Sequence, residues 1–148
     1  MEVVIGTALI LISLVGLTTA YSFYLKAGFK NTDTLKASFL LQEGVEAVTL
    51  MRDDAWTNLS SLAISTPYYL SWNGSKWVAT STAVTVDGTF TRTITLDEVY
   101  RRNSDKDIVA STSPDAKSID FGTKKLTITV VWGTASSTMV TYLANLFE

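Results

Sequence analysis

The sequence predicts an α+β fold in which a long N-terminal helix, its apolar half protruding, packs its second half on an antiparallel β-sheet. Three observations lead there. Residues Val3 to Leu25 carry no charge, and from Leu41 to Leu62 apolar residues recur at helical spacing. From Ser65 onward the texture changes to alternating apolar and polar residues punctuated by turn dipeptides. The expected organisation is an apolar half-helix over 1–25, an amphipathic half-helix over 26–64 and a sheet head over 65–148.

The apolar run comes first. As a helix rising about 1.5 Å per residue it is roughly 35 Å long, enough to span the hydrocarbon core of a membrane. A cleavable secretory signal would carry positive charge ahead of a shorter apolar stretch. Here the residue at the head of the run is a carboxylate, Glu2. Lys26, Lys30 and Lys36 follow the run, so the positive-inside tendency would place the body in the cytoplasm. The Ser/Thr-rich, β-patterned body points the other way. A positively charged leader removed from ahead of Glu2 would reconcile the two, the topology having been fixed before its removal.

In the second half of the helix, Leu41, Val45, Val48, Met51, Ala55, Leu59 and Leu62 fall at steps of three and four, one face of a 3.6-residue period. Gln42, Glu43, Glu46, Asp53 and Asp54 occupy much of the remainder. Gly28 with Asn31, Thr32 and Asp33 is the weakest stretch, a candidate kink or local unwinding. If the halves are continuous, the helix is on the order of 90 Å long. A helix of that length cannot bury itself in a domain of this size, so its first half must find partners elsewhere.

The β region starts where Ser65 to Pro67 stops the helix. Tyr68, Leu70 and Trp72 alternate up to Asn73-Gly74, a strong hairpin signal, and the chain returns over Lys76 to Thr80. A second hairpin joins Ala83–Val86 to Thr89–Val99 through Asp87-Gly88. Residues Arg101 to Ser118 read as a polar loop around a short strand at Ile108–Ala110. Lys124–Trp132 is the clearest strand, with Leu126, Ile128, Val130 and Trp132 on one face. Gly133–Ser137 turns the chain into a last strand, Thr138–Phe147. Four or five strands without intervening helices predict an antiparallel sheet with one face on the helix.

Composition excludes most chemistry. The chain has 148 residues, 12 basic and 14 acidic side chains, no histidine and no cysteine. That removes disulfides, thiol nucleophiles, the commonest metal ligand and the usual general base near neutral pH. There is no G-x-S-x-G or S-x-x-K stretch to activate a serine, and no basic stripe for nucleic acid. Neither catalytic residues nor a cofactor nor a metal site is expected. Asn103, Asp105 and Asp107 alternate like half a calcium loop but lack its glycine and closing glutamate, which favours a solvated turn. Asn58-Leu59-Ser60 and Asn73-Gly74-Ser75 match the N-glycosylation pattern, the first on a helix and the second in a turn, neither a favoured acceptor. Trp56, Trp72, Trp77 and Trp132, with Tyr68 and Tyr69, are better read as packing residues than as an adhesive surface.

The opening stretch EVVIGTALILISLVGL, a glutamate followed by about 20 apolar residues, runs into an amphipathic helix and then a sheet. It resembles the type IV pilins and pseudopilins, as do the middle stretch ASFLLQEGVEAVTLMRDDAWTNLSSL and the closing KKLTITVVW and TYLANLF. The resemblance implies a pilin-like fold and a surface filament of identical subunits, held in the cytoplasmic membrane before assembly. Prepilin peptidase and the pilus assembly machinery are the implied partners. In that family the peptidase cuts after a glycine and methylates the new amino terminus, which the glutamate of a neighbouring subunit neutralises. Glu2 matches that glutamate, with Met1 beside it as the second assembly residue. The implied filament core comprises Val3, Val4, Ile5, Leu9, Ile10 and Ile12, continuing through Leu14, Val15 and Leu17. Three departures stand out. One residue precedes Glu2 where relatives usually have four, the apolar segment lacks the family's helix-breaking proline, and there is no C-terminal disulfide loop. Gly16, Thr18 and Thr19 are the nearest substitute for a point where the helix could melt. A minor pilin or pseudopilin that primes or tips a pilus, secretion or DNA-uptake machine is the alternative, and a membrane-anchored ectodomain that never polymerises is a third.

Overall fold

The computed structural model describes residues 1–146, and of Phe29 and Lys30 the backbone alone. Helix α1 spans Glu2–Asp54, and a one-turn helix α2 follows at Thr57–Ser60. Seven strands follow among the described residues: β1 Tyr68–Trp72, β2 Trp77–Thr80, β3 Thr85–Val86, β4 Phe90–Arg102, β5 Ile108–Val109, β6 Lys117–Trp132 and β7 Ala135–Ala144. The α+β class is as the sequence predicts. The chain divides into two compact units, Met1–Lys36 and Ala37–Glu148.

The second unit is a helix laid on a sheet. The strands run in the order β2-β1-β4-β6-β7, all pairs antiparallel, with β3 and β5 as short additions to β4. The expected four or five strands correspond to this main path; the two extra strands are only two residues long each. The core pairs set the register: Ile94 lies opposite Ile128 and Leu96 opposite Leu126, putting all four on the face that meets the helix. Ala37, Leu41, Ala47, Val48 and Met51 of α1 bury against that face together with Leu59 of α2.

The main helix stops earlier than its apolar period suggests. The sequence carries the stripe through Ala55 to Leu62, whereas α1 ends at Asp54. The Asn58 amide donates to the Asp54 carboxylate at 3.0 Å and to the Met51 carbonyl at 2.9 Å, which also accepts from the Ala55 N–H at 3.3 Å, so the side chain braces the last turn. The chain then re-enters as α2, which buries Leu59 completely. The apolar period is real, but a break with a re-entrant turn serves the core as well as a straight helix would. Across Gly28–Asp33, by contrast, α1 remains helical without local unwinding, with the Thr32 hydroxyl donating to the Gly28 carbonyl.

The turns follow their dipeptides. Trp72 pairs with Trp77 across the Asn73–Lys76 loop, in which Asn73 Oδ1 accepts from the backbone N–H groups of Ser75 and Lys76. Trp132 pairs with Ala135 across a two-residue turn in which Gly133 has φ +54°, a conformation that favours glycine. The last strand therefore begins at Ala135, three residues earlier than expected, and the predicted end at Phe147 lies outside the described residues. The expected loop over Arg101–Ser118 is shorter than predicted, because β4 extends through Arg102 and β6 begins at Lys117. Between Glu98 and Val99 the register shifts, leaving Phe121, Gly122 and Thr123 of β6 as a bulge.

Candidate assembly surface

The first unit is a single helical segment, and its side chains from Val3 to Leu25 point outward on every side. Val3, Val4, Ile5, Leu9, Ile10 and Ile12 are all exposed, as are Leu14, Val15 and Leu17, with Val3 at 78% and Leu14 at 55% of full exposure. By length and composition this is a helix able to cross a membrane. Apolar side chains left in water on this scale would cost roughly 1.5–3 kcal/mol each relative to full burial. The segment is therefore built to be surrounded by something apolar.

Its polar groups are arranged to suit. Every serine and threonine between Val3 and Leu25 donates its hydroxyl to a backbone carbonyl of the preceding turn. Thr7 bonds Val3 and Val4, Ser13 bonds Leu9, Thr18 bonds Leu14 and Val15, Thr19 bonds Val15, and Ser22 bonds Thr18, at 2.8–3.1 Å. The outward surface thus presents methyl and methylene groups even where the sequence is polar, which is how hydroxyl residues are accommodated in an apolar medium. The helix is intact through Gly16, Thr18 and Thr19.

Glu2 sits in the first turn of α1, where a carboxylate is favoured by the unsatisfied N–H groups and the positive end of the helix dipole. Met1 is fully exposed beside it, and its carbonyl accepts from the Ile5 N–H. Among the described residues no basic side chain is recorded in an ion pair with Glu2.

In the second unit the residue that composition and pattern did not single out is Arg92. It lies at an inward position of β4, in the alternation Phe90, Arg92, Ile94, Leu96, and is 3% exposed. Its Nη1 donates to the Leu40 carbonyl at 3.1 Å and to the Glu43 carboxylate at 3.0 Å, and its guanidinium lies 5.4 Å from the Trp77 ring centre. Nε is buried without a hydrogen-bond partner. The arginine thus fastens helix to sheet by its head and fills core space with its stem. Beside it, a Cβ on Gly44 would meet Ile128 at 3.1 Å and the Arg92 stem at 3.3 Å, so the glycine allows the close approach. A charge at an inward position of an otherwise apolar strand was the available signal for this seam.

The other sequence candidates resolve into structural roles. Asp105 and Asp115 both converge on Arg102, at 2.7 and 2.8 Å, and Asn103 Oδ1 accepts from the Ser118 hydroxyl. The Asp107 N–H and the Arg102 guanidinium hold the Asp105 carboxyl below its ordinary value, and Arg102 with Ser113 does the same for Asp115. Those carboxylates are committed to an arginine within the loop. The Asn58 amide nitrogen is engaged with Met51 and Asp54, whereas Asn73 is exposed and uses its Oδ1 to organise its own turn. Of the tryptophans, Trp56, Trp77 and Trp132 pack against the core, and Trp72 stays half-exposed, edge-on to Trp77 at 5.8 Å. Comparison of the chain with family models, with curated proteins and with solved structures finds no match.

Proposed function

We propose that this protein is the structural subunit of a type IV pilus-like surface filament, polymerising through its N-terminal helix. The observation that carries the reading is the Val3–Leu25 segment, apolar on all sides, with its five serine and threonine hydroxyls turned onto its own backbone and Glu2 at its head. Before assembly the segment sits in the cytoplasmic membrane. There an unpaired carboxylate costs about 2.5–3.5 kcal/mol on insertion scales when it lies deep in the bilayer. In the filament the segments pack on one another, and Glu2 meets the amino terminus of the next copy, offsetting that cost. A head-to-tail contact of this kind need not close and can propagate into a helical fibre. The partners are further copies of the chain, the membrane, a prepilin peptidase and an assembly machine, with no catalytic step in the subunit itself.

The test is Glu2→Ala in the native host. The variant should accumulate in the membrane with a folded head, while sheared fibre yield falls by at least about tenfold, the factor that loss of one favourable contact gives in an equilibrium constant. Normal fibre yield from that variant would refute the role given to Glu2.

A further inference from the structure

A cavity of about 510 Å³ in the second unit lies over the outward face of the sheet, away from the helix seam. Across its base Asp97 of β4, Lys125 of β6 and Tyr142 of β7 stand opposite one another in strand register, a carboxylate, an ammonium and an aromatic ring in one row. Adjacent members of such a row are about 4.8 Å apart. Ile64 and Ser65 border the cavity, as do Tyr100 and Ile108.

The rim is fixed in place. Ser65 adopts φ +55°, a left-handed conformation uncommon for a residue other than glycine, and is held there twice. Its N–H donates to the Leu96 carbonyl at 2.9 Å, and its hydroxyl donates to Asp97 Oδ1 at 2.7 Å. Tyr100 donates its hydroxyl to Glu98 at 3.0 Å, and this bond raises the Tyr100 hydroxyl above its ordinary value. Lys125 Nζ is 3.9 Å from Asp97 Oδ2, too far for a hydrogen bond, so the ammonium keeps its donors for another acceptor. Tyr142 and Ile108 remain substantially exposed.

We infer that this groove is a binding site for a neutral saccharide. Asp97 and Glu98 supply acceptors for sugar hydroxyls, Lys125 and the Tyr142 hydroxyl supply donors, and the Tyr142 ring with Ile108 receives the C–H face of a pyranose. Two carboxylates against one ammonium disfavour an anionic ligand, while Lys125 in the middle of the row disfavours a cationic one. The volume falls in the range of small-molecule sites. The inference does not depend on polymerisation, so it stands or falls separately from the filament.

The experiment is a ¹⁵N NMR titration of the full chain in zwitterionic detergent micelles lacking sugar headgroups. The probes are neutral di- and trisaccharides of gluco, galacto, manno and N-acetylhexosamine configuration. At least one should shift the amides of Asp97, Lys125 and Tyr142 in a saturable manner. Tyr142→Ala should weaken that binding at least about tenfold, about 1.4 kcal/mol. Tyr142→Phe, which keeps the ring, should retain the greater part of it. An unperturbed spectrum for the Tyr142→Ala protein away from the substitution shows that the fold survives. No saturable shift with any of the saccharides, or binding indifferent to Tyr142→Ala, would overturn the assignment.

Discussion

Val3–Leu25 and Ala37–Asp54 belong to the same helix and are treated oppositely by the sequence. In the first, apolar side chains occupy every side and all are exposed. In the second, Ala37, Leu41, Ala47, Val48 and Met51 form one buried stripe, and polar residues take most of the rest. A stripe is what a helix needs to lie on one sheet; an apolar surface on all sides suits a helix surrounded by lipid or by other helices. The difference teaches that only the second region contributes to folding of the chain by itself.

That division can be broken experimentally, and core truncation should give the largest effect. Phe90→Ala removes a fully buried ring that packs 6.0 Å from Trp132, and should destabilise the second unit by about 3–5 kcal/mol in urea unfolding. Ile12→Ala in the first region should leave the same transition within about 0.5 kcal/mol of wild type. Equal effects from the two would erase the distinction.

The seam between α1 and the sheet sharpens the comparison. Gly44→Leu forces a side chain into space where even a Cβ lies 3.1 Å from Ile128, and should cost about 1–3 kcal/mol. Glycines of the first region, such as Gly16, have open space around them and should tolerate the same change without effect on that transition. Next comes Glu43→Gln, which leaves Arg92 buried without its counter-charge. Because Glu43 is 45% exposed, water screens part of the loss, and about 1–2 kcal/mol is expected, read from the shift in urea midpoint.

The smallest effect is a pH dependence confined to the sheet end. Burial pushes the Asp120 carboxyl up, but hydrogen bonds from Arg101, Thr123 and Gly122 outweigh it and hold the group below its ordinary value. A carboxylate whose folded pKa is depressed contributes stability above its unfolded value, about 3.9, and loses it as pH falls through the folded value. The urea midpoint should therefore decline from about pH 4 downward. Asp120→Asn should flatten that decline while lowering the midpoint at neutral pH. An unchanged acid limb in the variant would remove Asp120 from the account.

Much of this architecture is legible in the sequence because its signals are local. The Asn73-Gly74 and Asp87-Gly88 turns locate both early hairpins, and the alternation in Leu126, Ile128 and Val130 identifies the inward face of β6. The end of α1 was not legible, since the apolar period runs on past Asp54 through the break and into α2. The pairing of β4 with β6 beyond the bulge escaped because charged residues fill it: Arg101 pairs with Asp120 across the strands and Arg102 with Asp115, partners that the local pattern does not reveal. Arg92 hid in plain alternation, its role set by Leu40 and Glu43, which lie far from it in sequence. Glu2 and the segment behind it, by contrast, are conspicuous in the sequence, because a carboxylate at the head of a long uncharged run is visible from local composition alone.

The most direct measurement of the central claim is electron microscopy of material sheared from the cell surface, with mass spectrometry of the fibre fraction. The account predicts thin filaments in which this chain is the dominant protein and in which residues 3–25 are protected from proteolysis. Confinement of the chain to the membrane fraction, with no filament containing it, would contradict the claim.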